Sequence, residues 1–322
     1  MNRHTRVEVI ELRKLCNDQN PKKIDPNLKR DLKHGWLLPY LVQWDELTWK
    51  RWDYWGEMMH AGELIAKPIP LIDLIDKHQG AAARKNLETC LNAVPGYGEW
   101  QGWGSWEYLD YFLNWLLFGF GYKGQPELPA EPRGCTGASM RLYQIFDLSL
   151  LMLYPYDYWG EIMAENRFGR GAGFYPTPEP VVNLMVGMLF CEQKDHRAET
   201  VMDPCVGTGR MLLHASNYSL RLYGMDINES VIKAALVNGY CYAPWLVKPF
   251  PFLDAELVDG SASAKMSDLM TGAMAERPDV AAYLDNTEHD ESNQWKFEPI
   301  KKRRKKGTSS DKEPEVLQGL LF

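Results

Sequence analysis

From Thr200 to Tyr240 the sequence runs twice through a short apolar stretch leading into an acid and then a longer amphipathic one: TVMDP, GRMLLHASN, RLYGMDI and ESVIKAALVNGY. AELVDGS, a short helix around Lys265 to Ala275, and DVAAYL extend the pattern. Strands alternating with helices predict an α/β fold with a parallel, doubly wound sheet, because parallel neighbours need a crossover that a helix supplies. Three of the predicted strands carry acids at their C-terminal ends, Asp203, Asp226 and Asp259, and ligands of an open α/β sheet bind at that edge. In DPCVGTGR, between the first strand and its helix, Gly207 and Gly209 let the backbone approach a ligand closely. Asp226 lies 23 residues beyond Asp203, near the spacing of about 20 expected of a ribose-binding carboxylate. The bland alternative is that these acids only cap helices or solvate loops. A nicotinamide-type fingerprint would need a third glycine where this chain has Leu212.

Upstream the periodicity is helical, in Glu46 to Met59 and in Ser105 to Leu117. Nine of the twelve tryptophans precede residue 120, so this half either packs a large aromatic core or presents a stacking surface for unpaired bases. Gly121 to Gly137 is rich in glycine and proline and reads as a boundary loop. SMRLYQIFDLSLLML and DYWGEIMAENRF are predicted helices parted near Pro155. GRGAGFY follows as a loop, and TPEPVVNLMVGMLF as a helix with Thr177 as N-cap and Pro178 at its first position. RWDYWGEMM and PYDYWGEIM, at residues 51–59 and 155–163, share a DYWGE core without making a repeat architecture.

Composition narrows the setting. The longest apolar runs are too short or too interrupted for a membrane span, and the first residues lack the apolar core of a secretory signal, so a cytoplasmic protein is expected. Six cysteines without a CxxC pair predict neither a zinc site nor a disulfide scaffold, and no metal. The net charge is −7 although KKRRKK concentrates six positive charges at residues 301–306. From Asp285 the chain is too polar to bury a core, which predicts a disordered tail until VLQGLLF.

The ordered set GFYPTPEPVVNLMVGML, DPCVGTGRMLL and GMDIN, preceded by YWGEIMAENRFGRGAG, resembles the adenine-N6 DNA methyltransferases, in particular the modification subunits of type I restriction-modification systems. The likeness spans about residues 150–260 and implies a Rossmann-like sheet that binds S-adenosylmethionine and acts on DNA. By that resemblance Tyr175, Thr177 and Pro178 lie against the methionine end of the cofactor. Asp203 acts near its amino group, with Gly207 and Gly209 making room. Asp226 accepts the ribose hydroxyls, and Asp259 or Ser261 meets the adenine amine. One departure falls in the loop, where the family usually has Ala-Cys before Gly-Thr-Gly and another glycine after it. This chain has Cys205, Val206 and Arg210 there, which leaves the backbone less free. The family's Asn/Asp-Pro-Pro-Tyr/Phe tetrapeptide, which holds the flipped base, occurs nowhere in these 322 residues. Its positional counterpart is RPDVAAYLDNTEHD, where DVAAYL reads as the fourth strand and Asp285 and Asn286 as its polar exit. Both prolines and the stacking aromatic are missing from it. The catalytic residues are therefore unassigned, with Tyr283, Asp285 or the N-terminal domain left to hold a target, and the sheet reads as truncated.

The expected organisation is a Trp-rich helical domain over residues 1–138, a methyltransferase-like domain over 139–285 and a basic tail over 286–322. QGLLF, with Gln318, Leu321 and Phe322, resembles the peptide by which bacterial replication proteins dock on the sliding clamp. A hydrophobic C-terminus folded on its own domain is the alternative.

Overall fold

The computed structural model describes residues 32–74, 80–96, 105–165, 175–191 and 193–254, with residues 11, 12, 14, 15 and 20. The elements in chain order are α1 (Leu38–Thr48), α2 (Arg51–Ala61), α3 (Ala81–Ala93), α4 (Ser105–Phe120), α5 (Ala138–Ile145), α6 (Leu148–Leu153), α7 (Tyr158–Glu165), α8 (Glu179–Leu189), β1 (Thr200–Asp203), α9 (Arg210–Ala215), β2 (Arg221–Gly224), α10 (Glu229–Tyr242), α11 (Pro244–Val247) and α12 (Pro251–Asp254). The described chain is therefore mostly helical, with one two-stranded parallel sheet in register from Thr200 opposite Arg221 to Asp203 opposite Gly224. The expected strands AELVDGS and DVAAYL, the helix near Lys265, Asp259, Ser261, Tyr283, Asp285, Asn286 and the whole tail lie outside the described residues.

Helix α9 is the crossover between β1 and β2 and packs on both strands, while α10 packs chiefly on α4. One hydrophobic core accordingly runs from Leu32 to Phe250 and joins the Trp-rich helices to the strand-bearing part. Trp44, Trp49, Trp52 and Trp115 are buried in it. Four indole N–H groups donate to carbonyls in this core: Trp49 to Met152 at 2.7 Å, Trp52 to Tyr240 at 2.9 Å, Trp55 to Lys248 at 2.7 Å and Trp245 to Ser219 at 3.0 Å. Large apolar rings explain why tryptophan recurs here, with the polar handle satisfied at these positions, whereas the indole nitrogens of Trp36 and Trp44 are buried without a hydrogen-bond partner. Arg51 is fully buried among them, donating to the carbonyls of Ser216 and Tyr242, both at 2.6 Å, with its guanidinium 4.3 Å from the centre of the Trp245 ring.

Two predicted helices are broken where periodicity continues. The Glu46 to Met59 stretch is divided at Lys50, whose φ of 58° is left-handed and whose N–H bonds to Asp45 O at 2.7 Å. The Asp45 carboxylate then receives the Trp52 amide at 2.6 Å, so one residue both ends α1 and starts α2. SMRLYQIFDLSLLML is likewise divided, because Asp147 adopts an extended conformation and accepts the Ser149 amide at 3.0 Å as the cap of α6.

Asp45 carries a pH prediction. It is buried, its Oδ1 has no partner, and burial pushes its carboxyl up to about 7 against the opposing Trp52 amide and Arg51 charge. A folded value above the unfolded 3.8 means stability is greatest below the unfolded value and is lost as pH rises through the folded one. The penalty at pH 8 is on the order of a few kcal/mol. The melting temperature should fall between pH 4 and pH 8, and Asp45→Asn should flatten that fall; equal slopes in both proteins would refute the assignment.

Helix α8 is apolar on more than one face. Val182 and Val186 are buried, whereas Val181, Leu184, Met185, Met188 and Leu189 are exposed at helical spacing. Among the described residues no helix is long and apolar enough to cross a membrane.

Candidate functional site

The ends of β1 and β2 are tied together beyond the sheet. Met225 N–H donates to Asp203 O at 2.9 Å and Val206 N–H to Met225 O at 2.8 Å. Gly224 closes β2 where any larger residue would collide, since a Cβ there would stand 2.7 Å from Val206 Cγ2. Asp226 therefore sits two residues past the strand it was expected to end. The loop from Asp203 turns through Gly207 and Gly209, at φ 54° and 86°, conformations that favour glycine.

Hydrogen bonds fix both acids. Asp203 Oδ1 accepts the Cys205 amide at 3.0 Å, and Asp226 accepts the amides of Gly207 at 3.0 Å and Asn228 at 2.9 Å. Asn228 in turn caps α10 by accepting the Ser230 amide at 3.1 Å. Burial raises the Asp203 carboxyl above its ordinary value; the Cys205 amide opposes this and the Asp226 carboxylate adds to it.

These groups border a cleft of about 260 Å³. Five of the eight expected positions meet on its walls: Tyr175, Thr177, Asp203, Gly207 and Asp226. Pro178 instead borders a neighbouring cavity of about 860 Å³, and Gly209 caps α9 without lining the cleft. Asp259 lies outside the described residues. Residues 155–241 match the family model for N-6 DNA methylase. Over this segment, less than half of the chain, the protein is similar to the N-6 DNA methylases. The matched segment contains every residue of the cleft wall and begins beside the second DYWGE. Helices α1 to α6 precede it. No curated protein and no solved structure matches the chain.

Within the matched segment the start of α8 differs from expectation. Pro178 is the N-cap and Glu179 the first helical residue, so the helix begins one position later. Thr177 does not cap, and its carbonyl accepts Arg210 Nη1 at 3.0 Å.

Sequence reasoning gave Asp157 no place in a site and noted Arg210 only as a departure in the glycine loop. Arg210 is buried, and its guanidinium also donates from Nε to Asp157 Oδ2 at 3.0 Å and from Nη2 to Glu161 Oε1 at 3.1 Å. Burial works against its charge, and the carboxylate of Asp157, with Tyr156 and Glu161, outweighs that and lifts its pKa. Asp157 accepts three further bonds, from Thr208 Oγ1 at 2.7 Å, Asn238 Nδ2 at 2.9 Å and the Gly160 amide at 3.0 Å. The available signal was the DYWGE core, whose second copy supplies Asp157, Gly160 and Glu161. Among the described residues no group of three or more His, Cys, Asp or Glu is placed to hold a metal ion.

Proposed function

We propose that the segment similar to the N-6 DNA methylases binds S-adenosylmethionine in the 260 Å³ cleft on a Rossmann-like sheet, and that the protein acts on adenine in DNA. The observation that carries this reading is a pair of acids beside one edge of the sheet, Asp203 closing β1 and Asp226 two residues past β2, with Asp203 raised by burial and by its neighbour Asp226. Two carboxylates close together, one of them raised by burial, favour a ligand that brings positive charge and hydroxyl donors. S-adenosylmethionine has both, in its ammonium and sulfonium groups and its ribose. Asp203 then faces the methionine amino group, Asp226 the ribose hydroxyls, and the Tyr175 to Pro178 segment the methionine end. Gly207 and Gly209 give the loop its close approach, and Asp259 or Ser261 meets the adenine. Residues 1–138 form the helical companion of a methyltransferase-like domain over 139–285.

A second reading is a cofactor-binding protein that transfers no methyl group and docks on a modification complex or, through QGLLF, on a sliding clamp. It is favoured by the lack of an Asn/Asp-Pro-Pro-Tyr/Phe sequence in these 322 residues. Calorimetric titration with S-adenosylmethionine tests the common premise, and a wild-type protein that takes up none would sink it. Transfer of a labelled methyl group to adenine-containing DNA separates the two: incorporation establishes the enzyme, and cofactor binding without incorporation establishes the docking protein.

A further inference from the structure

We infer that Arg210 is a positioning residue of the cleft: clamped by Asp157, its guanidinium sets where the Thr177 wall stands relative to the glycine loop. The inference rests on the cofactor reading above. Arg210 follows Gly209 directly, so its backbone belongs to the loop wall, while its side chain holds the Thr177 carbonyl of the opposite wall at 3.0 Å. A guanidinium presents its donors in a rigid plane, so a fork held at one end fixes the geometry at the other. Here the held end is Asp157. Its carboxylate accepts four hydrogen bonds and is 1% exposed, so turning it would strand several buried donors at once.

Gly160 shows that the space is built for this contact. A Cβ at Gly160 would stand 2.3 Å from Asp157 Oδ2, 2.9 Å from Arg210 Nη2 and 2.9 Å from Thr208 Oγ1. In the first DYWGE, on α2, the matching Gly56 has nothing within 4 Å and Asp53 is exposed. The same five residues therefore serve two different ends, and only the second copy is organised around an arginine. Arg210 and Pro176 also border both cavities, which makes the segment they hold the partition between the 260 and 860 Å³ spaces. Where the resembling family has a freely turning glycine, this chain has a strap.

The test compares two probes, S-adenosylmethionine and adenosine, the second lacking the methionine end that the Thr177 wall faces. Arg210→Lys keeps a positive charge for Asp157 and loses the planar fork. It should weaken S-adenosylmethionine tenfold or more, leave adenosine affinity within about twofold, and leave the circular dichroism unchanged; Asp53→Asn should alter none of these. Equal weakening of both probes in a folded protein would overturn the inference, as would no weakening of either. Should Arg210→Lys fail to fold, Gly160→Ala crowds the same network without removing a charge and is expected to give the same split. A wild-type protein that binds no S-adenosylmethionine refutes the cofactor reading alone. In that case, or where adenosine gives no measurable binding, hydrogen exchange reads the strap directly. The amides of Val181 and Val182 bond to Pro178 O at 2.9 and 3.1 Å, and they should exchange at least tenfold faster in Arg210→Lys; unchanged exchange overturns the inference.

Discussion

Replacing Arg51 by alanine should destabilise the protein by about 3–5 kcal/mol, the range for breaking a buried charged contact. Arg51 is fully buried, and its removal strands the carbonyls of Ser216 and Tyr242, each of which receives a charge-assisted bond of 2.6 Å. Each such bond contributes about 1.5–3 kcal/mol, and the lost position over Trp245 adds to it. The effect should reach the cleft, because Ser216 follows α9 and Tyr242 ends α10, the two helices that leave the acid-bearing strand ends. Denaturant unfolding measures it, and a loss under about 1 kcal/mol would mean that the carbonyls find water instead.

Asp226→Ala should lower S-adenosylmethionine affinity by about 100-fold or more. Two hydrogen bonds from hydroxyls to a carboxylate contribute about 3 kcal/mol or more together, and about 1.4 kcal/mol is a factor of ten. The carboxylate also holds the Gly207 and Asn228 amides, so its loss loosens the loop as well as removing the acceptors. Asp226→Asn retains an acceptor oxygen and should fall between the two. Titration calorimetry reads the series, and an alanine variant that binds as the wild type does would remove Asp226 from the site.

The strands and helices from Thr200 to Tyr242 were legible because each is a short periodic unit bounded by its own glycine or cap, such as Gly209 and Asn228. The breaks at Lys50 and Asp147 were not, since hydrophobic spacing runs straight through them and only local side-chain bonding shows the interruption. Residue type alone makes Thr177 a helix cap, yet its carbonyl is held by a side chain 33 residues further on. Arg210 was visible as a departure in the loop. Its purpose was not, because Asp157 lies 53 residues away in sequence and meets it only through the packing of α7.

Cys205 gives the cleft a chemical readout of its own. Its thiol is free, exposed and on the cleft wall, whereas Cys191 is free and exposed without lining it. Alkylation followed residue by residue should therefore slow at Cys205 when S-adenosylmethionine is present and stay constant at Cys191. Equal rates with and without ligand would place the occupant elsewhere. The unmodified protein thus carries both the reporter and its reference, and occupancy can be timed without a label.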